Sequence, residues 1–206
     1  MIEGVASYGA LLAAAVNATG YQVAEAPRMG RHLRYGVGKT DTIDAQQIAH
    51  AVLPLEESQL RTPRLSEGTR AALRVLVGAR ETMARERTRA VNALTALARV
   101  NDLGLDARTP LARPQVHEAS RWRALREPLA VATARAEASR LAKRVTALDR
   151  ELAANLAQLT RLVEASEAAP LLNEMGFGPV SLAISLTAWS HAGRVRSEAA
   201  FASLAG

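Results

Sequence analysis

The sequence predicts a mostly α-helical chain with a small α/β part at its N-terminus. Three observations carry that prediction. Hydrophobic residues make up 49% of the chain but aromatics only 3%. An Ala-, Leu- and Arg-rich composition of this kind favours helices over the Val-, Ile- and Tyr-rich strands of sheets. Two long stretches, 69–100 and 129–164, repeat apolar residues at helical spacing. Only one short stretch, Tyr21–Ala26, has the character of a strand, with Val23 as its core residue and Pro27 closing it.

Taken in order, Tyr8 to Asn17 reads as a helix that Gly20 ends. Arg28 to Tyr35 is a short basic helix or loop. A second helix runs from Asp41 to Leu53 through Ile43, Ile48 and Val52, and Pro54 stops it. Residues 54–66, with Pro54 and Pro63, read as a linker. Thr69 to Val100 is one long helix, its apolar stripe running through Leu73, Leu76, Val77, Met83, Val91, Leu94 and Leu97. Gly104, Pro110 and Pro114 then break the pattern, and a short segment carries Trp122.

From Leu129 to Glu164 the spacing is heptad. Val131, Ala138, Val145, Leu152 and Leu159 fall at position a; Ala134, Leu141, Leu148, Asn155 and Leu162 fall at d. Such a seam needs a partner helix. A second copy of the chain would make a coiled coil, and the 69–100 helix would make an antiparallel hairpin. Both remain open on the sequence. The resulting division is 1–66, 67–168 and 169–206.

Composition closes several doors. There is no cysteine, so disulfides, thiolate zinc sites and cysteine nucleophiles are excluded. His32, His50, His117 and His191 are too dispersed to suggest a metal site. No apolar run reaches membrane-spanning length, and Leu11–Val16 lacks the basic leader of a signal peptide. The net charge of +6 is unevenly placed. Residues 69–168 carry 18 Lys and Arg against 11 Asp and Glu, whereas 1–68 carry 6 against 7. The excess is nearly all Arg, which makes planar, often bidentate contacts to phosphate. A basic helical stretch suits a nucleic-acid backbone; the competing reading is a solvated helix face laced with Glu–Arg pairs. Arg80 and Arg87, seven apart at the edge of the apolar stripe, are the candidates to face a partner.

The sharpest motif is Gly38-Lys39-Thr40-Asp41-Thr42-Ile43-Asp44. It is not a phosphate-binding loop, because Leu33 stands where that motif needs its first glycine. Asp41 and Asp44 are three apart, so both carboxylates project from one side of a first helical turn. Such a pair, joined by a third acid, can hold Mg²⁺ or Mn²⁺. Capping of the helix is the commoner use of the same two residues.

These residues resemble a known family. Glu3-Gly-Val-Ala-Ser-Tyr8, Gly20-Tyr-Gln-Val-Ala-Glu25 and Gly38-Lys-Thr-Asp41-Thr-Ile-Asp44-Ala follow the order and spacing of the DEDD-type transposases of insertion-sequence family 110. Met175-Gly-Phe-Gly-Pro-Val-Ser, and Gly193 to Gly206, look like the start of that family's second region. The resemblance implies a RuvC-like nuclease domain with four acids, of which Glu3, Asp41 and Asp44 match three. These three would be the catalytic metal ligands, with Mg²⁺ or Mn²⁺ as cofactor. The first aspartate and the family's nucleophilic serine have no counterpart in the 206 residues. The expectation is an internal piece of a transposase, truncated at both ends and inactive by itself.

The resemblance further implies DNA and a structured guide RNA as partners. It also implies homo-oligomer assembly through the helical region and a place in the prokaryotic cytoplasm, with no membrane. Around Gly176-Phe177-Gly178 the chain resembles a helix–hairpin–helix, whose backbone N–H groups approach a phosphate. Met175 and Leu182 depart from that pattern. Lys39, Arg80, Arg87, Gly176 and Gly178 are thus the candidate nucleic-acid contacts. Two alternatives stay open. One is a non-catalytic basic coiled coil that binds nucleic acid or oligomerises, with the acids as helix caps. The other is a remnant of a broken element with no activity.

Overall fold

The structure, a computed structural model, describes residues 1–2, 5, 8–26, 41–63, 67–189, 195 and 197–205, with backbone alone at 41–44, 58 and 203–205. It is mostly helical. The helices are α1 (Ala10–Ala18), α2 (Asp41–Val52), α3 (Gly68–Val100), α4 (Arg113–Ser120), α5 (Leu129–Glu164), α6 (Pro179–Ala188) and α7 (Glu198–Ala205). The chain divides into two compact units, one of residues 1–66 with 188–204, the other of Glu67–Thr187.

In the first unit, Tyr21–Ala26 is extended but no strand forms among the described residues. Isolated bridges take its place. The Ile2 N–H donates to the Ala24 carbonyl at 3.0 Å, and the Ala26 N–H returns to the Ile2 carbonyl at 3.0 Å. On its other side the Glu25 N–H reaches the Arg61 carbonyl at 2.7 Å. Val5, Ala13 and Val23 are buried together, with Ile2 and Val16 against them. Val23 is thus a core residue as expected. Tyr8, Leu11, Tyr21 and Leu53 remain largely exposed.

The second unit is a helical hairpin. α3 and α5 are antiparallel: Arg70 meets Glu167, Leu76 meets Asn155, Arg80 meets Leu152 and Arg87 meets Asp149, so numbers rise on one helix as they fall on the other. The a/d seam of α5 is the face that is covered. Ala134, Ala138, Val145, Leu148, Asn155 and Leu159 are all buried. Two cores share the hairpin. One gathers Leu94, Ala98, Leu103, Leu111, Val116 and Val145 where α4 and the 101–112 loop join the helices. The other gathers Leu73, Leu159, Val163, Leu182 and Leu186. The partner that the heptads require is therefore within the chain.

α4 is the element that the pattern hid. Pro114 reads as a breaker, but it lies in the first turn, where a missing N–H costs nothing. Val116 and Ala119 supply the buried face, and the Gln115 side chain accepts from the Ala112 N–H at 2.8 Å. The loop before it is stitched down by side chains. Arg99 Nε donates to the Ala107 carbonyl at 2.7 Å, and Thr95 Oγ1 accepts from the Leu111 N–H at 3.3 Å.

Candidate metal and nucleic-acid sites

Asp41 and Asp44 lie on the first turn of α2, three residues apart, so the helix begins where the motif places it. Their side chains, Glu3 and Lys39 are outside the described residues. Ile2, next to Glu3, is tied to the 24–26 segment by the bridge pair. Among the described residues no three His, Asp or Glu side chains cluster as a metal site.

Arg80 and Arg87 both reach α5. Arg80 Nη1 donates to the Leu152 carbonyl at 3.1 Å. Arg87 pairs with Asp149 through Nε at 2.5 Å, and this bond raises the guanidinium pKa above its ordinary value. Each therefore fastens the hairpin. Other pairs do likewise. Arg144 holds Glu86 at 2.7 Å and Glu151 at 3.5 Å. The Arg144 hydrogen bond depresses the Glu86 carboxyl, with burial opposing it. Arg135 grips Glu127 through Nε and Nη2, both bonds 2.8 Å at their shortest, and stacks over the Trp122 ring at 4.7 Å. That clamp closes the 121–128 loop onto α5.

The charge left over is more informative than the total. Arg121, Arg123, Arg126, Lys143, Arg150 and Arg161 are exposed and make no ion pair among the described residues. The excess cations of 69–168 thus lie at the hairpin's surface. Sequence spacing drew the eye to Arg80 and Arg87, whereas Arg113 and Arg150 line a groove beside Asp149. No linear spacing marks that groove, because it forms only when α4 folds back on α5.

At the proposed phosphate turn, Gly176 has φ of +91°, a conformation in which L side chains are strained. The segment before it is a 3₁₀ helix, Ala169–Asn173, in place of a full first helix. Gly178 precedes α6, and its N–H donates to Ser181 Oγ at 2.9 Å. That N–H is consequently engaged within the turn, and Pro179 has none.

The described residues define a basic helical hairpin and a small unit whose second helix opens on two aspartates. Residues 1–100 match the model of the DEDD family of insertion-sequence 110, described as a transposase. No curated protein and no solved structure matches the chain. Among the described residues no helix is long and apolar enough to cross a membrane.

Proposed function

We propose that this chain acts in DNA transposition as part of a DEDD-type transposase. The family match over residues 1–100 is the observation that carries it. In this reading residues 1–66 contribute to a RuvC-like nuclease domain, and Glu3, Asp41 and Asp44 are its metal ligands. Their oxygen donors suit Mg²⁺ or Mn²⁺, which would supply Lewis acidity for phosphodiester cleavage. Helical register sets Asp41 and Asp44 on one side of α2, in keeping with that role.

Residues 67–168 supply the nucleic-acid surface. Their unpaired Arg residues would neutralise backbone phosphates of DNA and of a structured guide RNA. Residues 169–206 open the C-terminal transposase region, with the Gly176–Gly178 turn near a phosphate. Assembly with a second copy would use a surface other than the a/d seam, which α3 already covers. The setting is a prokaryotic cytoplasm. In this reading the chain binds nucleic acid through the hairpin. Filter binding to duplex DNA and structured RNA across a salt series tests the reading. Log affinity should fall linearly with log salt. Absence of binding to both at low salt would leave the hairpin an assembly module.

A further inference from the structure

The geometry points to a seat for one unpaired nucleotide in the groove between α4 and the middle of α5. This deepens the nucleic-acid reading above and rests on it. The groove measures about 490 Å³, within the ~300–1,000 Å³ range of small-molecule sites. Arg87, Arg113, His117 and Arg150 stand around it, with Asp149 as the single acid among its lining residues.

Asp149 is largely spent on Arg87. Both of its oxygens accept from that guanidinium, at 2.5 and 3.4 Å. Arg113 comes only to 3.8 Å from the other side and is 80% exposed, so its donors stay open. Arg150 makes no ion pair among the described residues. The three arginines against one carboxylate leave an excess of two positive charges in one concavity.

The floor is different in kind. Pro114 and Ala153 give it exposed apolar surface, with the nearly covered Leu111 and Val116 and the buried Val145 behind them. A phosphate alone needs no such floor, and a duplex cannot offer a base to it. An unpaired nucleotide satisfies both halves: its phosphate meets Arg113 and Arg150, and its base lies on the apolar floor. The His117 ring and the guanidinium planes provide stacking faces, as in other single-strand sites. Buried Thr95 holds Leu111, and Gln115 holds the Asp106 carbonyl at 2.9 Å, so the groove wall is preformed.

The test uses the full chain, labelled 12-nucleotide single strands of RNA and of DNA, and duplexes of the same sequence, read by fluorescence anisotropy. Arg113→Ala combined with Arg150→Ala should weaken single-strand binding on the order of ten-fold, two charge-assisted contacts being lost. The salt slope should fall by roughly 0.7 units, the value for the one single-strand phosphate that both arginines meet. Duplex binding should suffer less. Whichever single strand loses more identifies RNA or DNA as the occupant. Arg121→Ala combined with Arg123→Ala, exposed cations outside the groove, should lower both affinities alike. A groove variant that binds single strands like the parent, or loses single strand and duplex equally, overturns the proposal. Should the parent chain bind no oligonucleotide, the broader reading fails first. Titration with uridine 5′-monophosphate, followed by ¹H–¹⁵N shifts of Arg113 and Arg150, then decides the groove: shifts sustain it and their absence overturns it.

Discussion

The two units of this chain are held together by different means. In Glu67–Thr187, burial is continuous along two long helices, with Leu73, Leu94, Leu148 and Leu159 all at 0% exposure. Among the described residues of the unit built from 1–66 and 188–204, Val5, Ala13 and Val23 form a small buried cluster and a few bridging hydrogen bonds join its segments, while Leu11 stays 86% exposed. The hairpin has the packing, and the small unit holds Asp41 and Asp44, the acids proposed above as metal ligands. Each unit carries one tryptophan, Trp122 in the hairpin and Trp189 in the other. Variants keeping one Trp or the other thus report the two units separately.

The largest expected effect breaks the comparison most cleanly. Leu148→Ala should cost about 2–5 kcal/mol in urea unfolding read through Trp122, since a buried leucine leaves a cavity. Leu11→Ala, read through Trp189, should stay within about 0.5 kcal/mol. Equal costs would mean that the small unit is packed as tightly as the hairpin.

A second test lies inside the seam. Asn155 is buried at a d position; its Nδ2 donates to the Leu76 carbonyl at 3.0 Å, while Oδ1 has no partner among the described residues. Asn155→Leu should raise hairpin stability by about 1 kcal/mol, because an unsatisfied buried oxygen is removed. The same change should loosen the register that the Asn–carbonyl bond fixes. A loss of stability in urea would show the polar contact to outweigh the orphaned oxygen.

Gly176→Ala should cost about 1 kcal/mol through its positive φ, and Gly178→Ala less, since φ there is not positive and space is open around it. A thermal melt compares them directly.

The smallest effect is electrostatic. Arg hydrogen bonds hold Glu86, Glu127 and Glu137 below the ordinary 4.5, and Arg108 holds Asp106 at about 2. Folded carboxyls with depressed pKa bind fewer protons than unfolded ones. Their contribution is present above the unfolded value and is lost as pH falls from about 4.5 towards about 2. The urea midpoint seen by Trp122 should drop in that window, modestly, because the Glu86, Glu137 and Asp106 pairs are exposed and screened by salt, Glu127–Arg135 alone being mostly covered. A midpoint unchanged across the window would assign the hairpin's stability to packing alone.

How much of this was legible in the sequence differs by unit, for a physical reason. Helical order is local, so apolar spacing gave α3 and α5 nearly to the residue, and the heptads marked the buried face of α5. Their choice of partner was not local, and the hairpin was one of two open answers. Pro114 concealed α4, since a first-turn proline and a loop proline look alike in sequence. In the small unit the order is reversed. The motif around Asp41 and Asp44 was conspicuous, whereas a strand at Tyr21–Ala26 depends on partners distant in sequence, and among the described residues only bridges formed. The contacts that Arg80 and Arg87 make within the hairpin were invisible for the same reason. Spacing places them at the stripe edge, but only the fold shows Leu152 and Asp149 opposite them.

The central claim is that metal chemistry belongs to Glu3, Asp41 and Asp44 and not to the acids of the hairpin. Paramagnetic broadening by Mn²⁺ in ¹H–¹⁵N spectra of the full chain tests it directly. The account predicts that broadening begins at the first turn of α2 and around Ile2, and that Asp41→Asn with Asp44→Asn abolishes it. Broadening centred on Asp106 or Asp149, or broadening that survives the double substitution, would contradict it.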